Sequence, residues 1–252
     1  MPISSSFMSD GYWVTPPLIS DRELGDLRIA ADRLFAAAGG AKAGLRDPVS
    51  QEPLFSQLAK CESVVGLVEP IIGRGPFVVR SVLFDKTPEA NWDVVWHQDV
   101  TITVKERADV EGYGPWSTKA GQPNVQPPAA VLEGMVTVRL HLDDCGETNG
   151  PLLVVPGSHR SGIIDVRTLD TAGCDERAVR CCAEAGAALV MRPLLLHASR
   201  KSQVASHRRV LHLDFAATAL PEPLRWTTNT APDNSSQLAT AHPAPSAPRS
   251  AP

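Results

Sequence analysis

The chain has 252 residues, a formal net charge of −4 and a pI near 6.0. That balance offers no basic surface for nucleic acid or an anionic membrane as the main partner. No apolar run approaches the ~20 residues that span a bilayer, and the opening "MPISSSFMSDGYW" lacks the basic start and apolar core of a secretion signal.

Residues 20–38 carry Leu24, Leu27, Ala31, Leu34 and Phe35 at helical spacing. Ser20 or Asp21 can cap this helix, Glu23 sits where a capping box wants an acid, and Gly39-Gly40 stop it. A second, shorter helix is expected from Pro53 to Val68, ending before Pro70. From Pro76 onward "FVVRSVLF", "DVVWHQDVTITV", "MVTVRLHLD", "PLLVVPGSH", "AALVMRPLLLH" and "RRVLHLDFA" are short, rich in Val, Leu and Ile, and separated by Gly, Pro, Asn or Asp. Many such strands predict a sandwich or barrel, with the earlier helices packed on it. Asn149-Gly150 gives a hairpin signal. Residues 105–130 form a long Gly/Pro-rich connection, read as a lid or a solvated loop, with Tyr113 and Trp116 for apolar contact and Lys105, Arg107 or Lys119 for an anionic group. The expected domain covers residues 1–226, followed by a disordered Pro/Ala/Ser-rich tail over 227–252. Five cysteines, odd in number and without paired Cys-x-x-Cys spacing, fit reduced thiols in a cytoplasmic protein.

A His two residues before an Asp occurs three times, at 97–99, 141–143 and 212–214. On a strand both side chains of such a pair share one face, so each pair can grip a metal. Two imidazoles and a carboxylate on one face of an octahedral iron leave three positions open, the pattern of non-haem Fe(II) oxygenases. The 212–214 triplet is the weakest candidate, because the only later histidine, His242, falls in the low-complexity tail. The 141–143 triplet reads as exposed or turn-facing polar groups beside core-facing Val138, Leu140 and Leu142. Spacing alone ranks the triplets without deciding among them.

"WHQD" at 96–99, "NGPLLVVPGSHRSG" at 149–162 and "LLLHASRKSQVASHRRVLHLDFA" at 194–216 together resemble the phytanoyl-CoA dioxygenase family, over about Gly11 to Ala217. The resemblance implies a mainly β fold, a double-stranded β-helix (the cupin-like jelly roll) with flanking N-terminal helices. It also implies Fe(II), the cosubstrate 2-oxoglutarate and O2, with hydroxylation of a C–H bond and release of succinate and CO2. His97, Asp99 and His197 match the family's iron ligands. Arg208 matches the residue that binds the far carboxylate of 2-oxoglutarate, and Ser199 a hydroxyl that contacts the same group. Asp99 favours hydroxylation over halogenation, since related halogenases lack the carboxylate.

Arg139 is read as a cosubstrate or substrate anchor, because a guanidinium inside a barrel is costly unless paired. Arg80 is a similar, weaker case. Arg209 is the inward residue only if the register slips by one. His159 is expected to brace a turn, and His207 and His212 to be ordinary strand or loop residues. The implied partner is a small-molecule substrate, with no nucleic acid and no membrane, and the protein a monomer or homodimer. Two other readings stay open at this point: a zinc hydrolase on the same ligands, and a non-catalytic jelly-roll binding protein.

Overall fold

A computed structural model describes residues 6–40, 42–204 and 206–227. In chain order the elements are α1 (Phe7–Asp10), β1 (Tyr12–Val14), α2 (Asp21–Ala37), β2 (Gly44–Arg46), α3 (Pro48–Gln51), α4 (Pro53–Lys60) and α5 (Glu62–Ile72). Then follow β3 (Phe77–Lys86), β4 (Val94–His97), β5 (Ile102–Thr103), β6 (Trp116–Lys119), β7 (Gln122–Val125), α6 (Ala129–Glu133), β8 (Val136–His141) and β9 (Leu152–Val154). The chain closes with α7 (Thr171–Arg177), β10 (Val179–Cys181), β11 (Ala188–Met191), β12 (His197–Ser199) and β13 (Arg208–Ala216).

The strands form a six-stranded sheet, β1-β11-β8-β13-β3-β2, and a four-stranded sheet, β10-β9-β12-β4, all pairs antiparallel. From β3 onward the chain passes back and forth between the two sheets, which is the expected jelly roll. A small third sheet, β5-β7-β6, stands apart.

Strand alternation divides the large sheet into two chemically different faces. Val136, Val138 and Leu140 on β8 and Leu211, Leu213 and Phe215 on β13 are wholly buried in the core shared with the helices. Each such side chain contributes roughly 1.5–3 kcal/mol. The residues of opposite parity include Thr137, Arg139 and His141 on β8 and Arg208, His212 and Asp214 on β13, which face the other side of the sheet and are polar, yet also buried. Helix α2 supplies the cover for the apolar face. Its capping box forms as expected, with Ser20 N donating to Glu23 Oε2 at 3.0 Å and Glu23 N to Ser20 Oγ at 3.4 Å. Among the described residues no helix is long and apolar enough to cross a membrane.

Several local expectations need correction. The single helix from Pro53 to Val68 is two, broken at Cys61, which has extended backbone. The second runs through Pro70 to Ile72; Pro70 has no N–H, so the helix forgoes the hydrogen bond to Gly66. Asn149-Gly150 joins no hairpin, because β8 and β9 lie in different sheets. Gly150, with φ 62°, instead turns the corner between them. A Cβ there would sit 2.7 Å from the Arg200 carbonyl oxygen, so Gly150→Ala meets both a left-handed backbone and a rigid neighbour. We expect it to lower stability by about 2–3 kcal/mol, read as the shift in a chemical denaturation midpoint.

The 105–130 connection is not structureless. Its hairpin, β6 and β7, turns on Ala120 (φ 49°) and Gly121 (φ 77°), the two positive values that a two-residue turn requires. Tyr113 and Trp116 pack against a second core of Phe77, Val79, Val125, Leu132 and Trp226, so their contact is with the protein itself. The expected tail, apart from Thr227, lies outside the described residues.

Candidate metal centre

Strands β4 and β12 are neighbours, and His97 pairs directly with His197 across them. The two rings lie 4.1 Å apart between centroids. Asp99 follows just after β4, where its backbone N–H donates to the Pro193 carbonyl at 2.9 Å. The other residues of "WHQD" anchor this turn. Buried Gln98 donates to the carbonyls of Gly162 (2.9 Å) and Leu194 (2.6 Å) and accepts from Ile164 N (2.8 Å). Trp96 donates to Asp175 at 2.9 Å. With Trp96 and Gln98 fixed on one side, His97 and Asp99 are presented on the other.

His97, Asp99 and His197 each offer a ligand atom within 4.8 Å of the others, the only such cluster among the described residues. The Nδ1 atoms of His97 and His197 lie 2.8 Å from the carbonyls of Val95 and Leu195. Since a carbonyl only accepts, each ring donates from Nδ1 and leaves Nε2 as the atom available to a metal. Burial, reinforced by His97, pushes His197 down to about 3, so it stays neutral. Burial works against a charged Asp99, but Arg80 and the surrounding histidines outweigh it and hold its carboxyl far below the usual range. Two imidazoles and one carboxylate are a donor set that suits Fe(II).

Around the centre runs a connected polar chain. Arg80 lies 3.6 Å from Asp99 and 3.4 Å from Asp214. Asp214 accepts from Thr137 Oγ1 at 2.7 Å and from His212 Nε2 at 3.0 Å, and His212 Nδ1 faces Arg139 at 3.0 Å. Burial and then Arg208 lower Arg139 to about 10, which still leaves it charged. The third triplet is therefore neither a ligand pair nor an ordinary strand segment. His212 and Asp214 are buried beside the candidate metal ligands, so His212 is a strand residue as expected but one bonded into the interior. Its signal was parity, since it shares a face with Arg208.

At the other end of the pocket, Arg208 is buried, and its guanidinium has no ion-pair or hydrogen-bond partner among the described residues. Arg209 points the opposite way, to Asp32 (2.9 Å) and Asp143 (3.1 Å), so the register has not slipped. Ser199 accepts from Lys86 Nζ at 2.9 Å, and Lys86 lies across the sheet from Arg208. Lys86 was not singled out from the sequence, although it shares the parity of Arg80 on one strand. Burial, with Arg208 second, brings it down to about 7. A cavity of about 100 Å³ joins these groups: His97, Asp99, His197, Arg139, Ser199 and Arg208 all line it.

The remaining candidates have other places. His141 is buried, not exposed or turn-facing, and neither ring nitrogen has a hydrogen-bond partner among the described residues. Asp143 accepts from Arg28 and Arg209. His159, in its 3-10 turn, packs so closely on Gly11 that a Cβ there would meet its ring. His207 bonds Asp85 at 2.6 Å.

Burial, and then the charges of Arg139 and Arg208, lower His141 to about 3. The folded protein therefore binds fewer protons here than the unfolded chain between about pH 3 and 6.5. Its stability is full above the upper value and falls on acidification. From there to about pH 5 the His141 share is about 2 kcal/mol. Denaturation of His141→Phe and the parent protein at both pH values should show that much less acid loss in the variant.

The model of the phytanoyl-CoA dioxygenase family matches residues 7–210. An ectoine dioxygenase of Streptomyces avermitilis is 27% identical over 169 residues, 62% of this chain and 50% of the relative. The chain thus spans about half the length of the curated relatives it matches. Two crystal structures of EctD from S. alaskensis share the fold. The one with bound Fe has a TM-score of 0.65 at 22% identity, covering 87% of this chain and 78% of that one. The one with 2-oxoglutarate and 5-hydroxyectoine has a TM-score of 0.64 at 21% identity, covering 84% and 74%. With the jelly roll in place and the match running through every strand up to the start of β13, the chain belongs to the phytanoyl-CoA dioxygenase family.

Proposed function

We propose that this protein is an Fe(II)- and 2-oxoglutarate-dependent dioxygenase that hydroxylates an unactivated C–H bond of a small organic molecule, releasing succinate and CO2. One observation carries the reading. Two imidazoles and a charged carboxylate share a pocket with a buried guanidinium that makes no ion pair among the described residues. His97, Asp99 and His197 are the residues to hold the iron. When bound, Fe(II) and 2-oxoglutarate supply the oxidising chemistry, which belongs to the cofactor pair rather than to the protein.

The chain's own residues bind and orient. Arg208 takes the far carboxylate of 2-oxoglutarate, its fixed fork of donors matching the two oxygens. Ser199, already hydrogen-bonded to Lys86, stands at the same end. Arg139 bounds the pocket between this end and the metal ligands, and Arg80 keeps Asp99 ionised. Metal-assisted hydrolysis would give Arg208 no task. The oxygenase unit extends through Trp226, which packs into the second core. All five cysteines are free, which fits the reducing cytoplasm.

The test is a panel of small metabolites incubated with Fe(II), 2-oxoglutarate and O2, read out as succinate. Succinate formation that depends on iron and on one panel member supports the reading. Full activity with zinc in place of iron, and no use of 2-oxoglutarate, would refute it.

A further inference from the structure

A second cavity, of about 940 Å³, lies next to the metal centre, and Arg80 lines both spaces. Its walls come from β2 and the turn into α3, the start of α4, β3, and the tip of the β6–β7 hairpin. The volume is in the range of small-molecule binding sites. Lys119, at the hairpin tip, donates to Thr101 Oγ1 at 2.8 Å, and Thr101 is two residues beyond Asp99. The hairpin is thereby tied to the loop that carries the metal ligand.

The charges of this cavity do not balance. Arg46, Arg80 and Lys119 line it, with Asp47 as the single carboxylate. Arg80 is engaged by Asp99 and Asp214. Among the described residues neither Arg46 nor Lys119 has an acid within ion-pair distance, and Asp47 accepts from Ser50 at 2.9 Å. Burial and then Arg80 and Arg46 lower Lys119, and burial and then Arg80 lower Arg46. Setting Asp47 against these two cations leaves one positive charge over, so the complement is a single negative charge. The rest of the wall mixes hydroxyls and amides, such as Ser56 and Gln57, with Val49 and Val79.

We infer that this cavity is the substrate compartment and takes a monoanionic small molecule whose carboxylate rests between Arg46 and Lys119, with its reacting carbon directed past Arg80 to the metal. The inference rests on the dioxygenase reading for the word substrate; the anion site itself does not. Lys105 and Arg107, the other cations of the 105–130 segment, are not among the lining residues.

Benzoate and benzamide make a test pair of similar shape, one anionic and one neutral. Each is titrated by calorimetry into the anaerobic protein loaded with Fe(II) and 2-oxoglutarate, and into metal-free protein. Benzoate should bind at least about tenfold more tightly than benzamide. The Arg46→Gln/Lys119→Gln double variant should lose that advantage while binding 2-oxoglutarate as before, and Lys119→Arg should keep it. Equal binding of the pair, no benzoate binding, or full benzoate affinity in the double variant would each overturn the anion site. Failure of the wild-type protein to bind 2-oxoglutarate would instead overturn the dioxygenase reading, and the metal-free titrations would still report on the anion site.

Discussion

Arg208→Ala should weaken 2-oxoglutarate binding by about 30- to 1,000-fold without reducing iron content. The range follows from the ~2–4 kcal/mol that a buried, hydrogen-bonded charge pair loses when one partner is cut away. Arg208 is 3% exposed and has no acid partner in the described chain, so a carboxylate ligand is the group that completes it. Lysine at this position keeps the charge but not the paired donors, and Arg208→Lys should recover only part of the affinity. Arg209→Ala is the control. That side chain bridges Asp32 and Asp143 on the helix side of the sheet, so its loss should lower stability and leave cosubstrate affinity alone. Isothermal titration under anaerobic Fe(II), paired with metal analysis, separates the two outcomes. Equal 2-oxoglutarate affinity in Arg208→Ala and the parent would remove Arg208 from the site.

Asp99→Ala should abolish iron retention, with Fe(II) affinity down at least ~100-fold, about 3 kcal/mol. It takes away the one anionic ligand of the three and leaves Arg80 facing the two imidazoles with only Asp214 to offset it. Asp214→Asn should act more mildly, in the 10- to 100-fold range typical of groups that orient a ligand rather than bind the metal. Iron measured after anaerobic loading and desalting gives the order: parent, then Asp214→Asn, then Asp99→Ala. A protein with Asp99→Ala that holds iron as the parent does would show that the carboxylate is not a ligand.

The short segments rich in Val, Leu and Ile were legible as strands, because Gly, Pro, Asn and Asp clusters bound each of them. Their assignment to two sheets was not, since register depends on long-range pairing. That is why Asn149-Gly150 read as a hairpin although it turns a corner between sheets. The real two-residue hairpin, at Ala120-Gly121, hid inside a Gly/Pro-rich stretch because alanine is a poor sign of positive φ. The candidate metal ligands were named by resemblance to a family; spacing alone ranked the three triplets without deciding among them. Lys86, His141, His212 and Asp214 were undervalued for one physical reason. A polar residue inside a strand is usually solvent-facing, and only the closed barrel turns that face into an interior. Parity with Arg80 or Arg208 was the available clue.

The most direct measurement is a crystal structure of the protein loaded anaerobically with Fe(II), with the iron located by its anomalous scattering. The account predicts one iron bound by Nε2 of His97, a carboxylate oxygen of Asp99 and Nε2 of His197, at roughly 2.0–2.3 Å. An iron bound elsewhere, or held by fewer than these three groups, would contradict it.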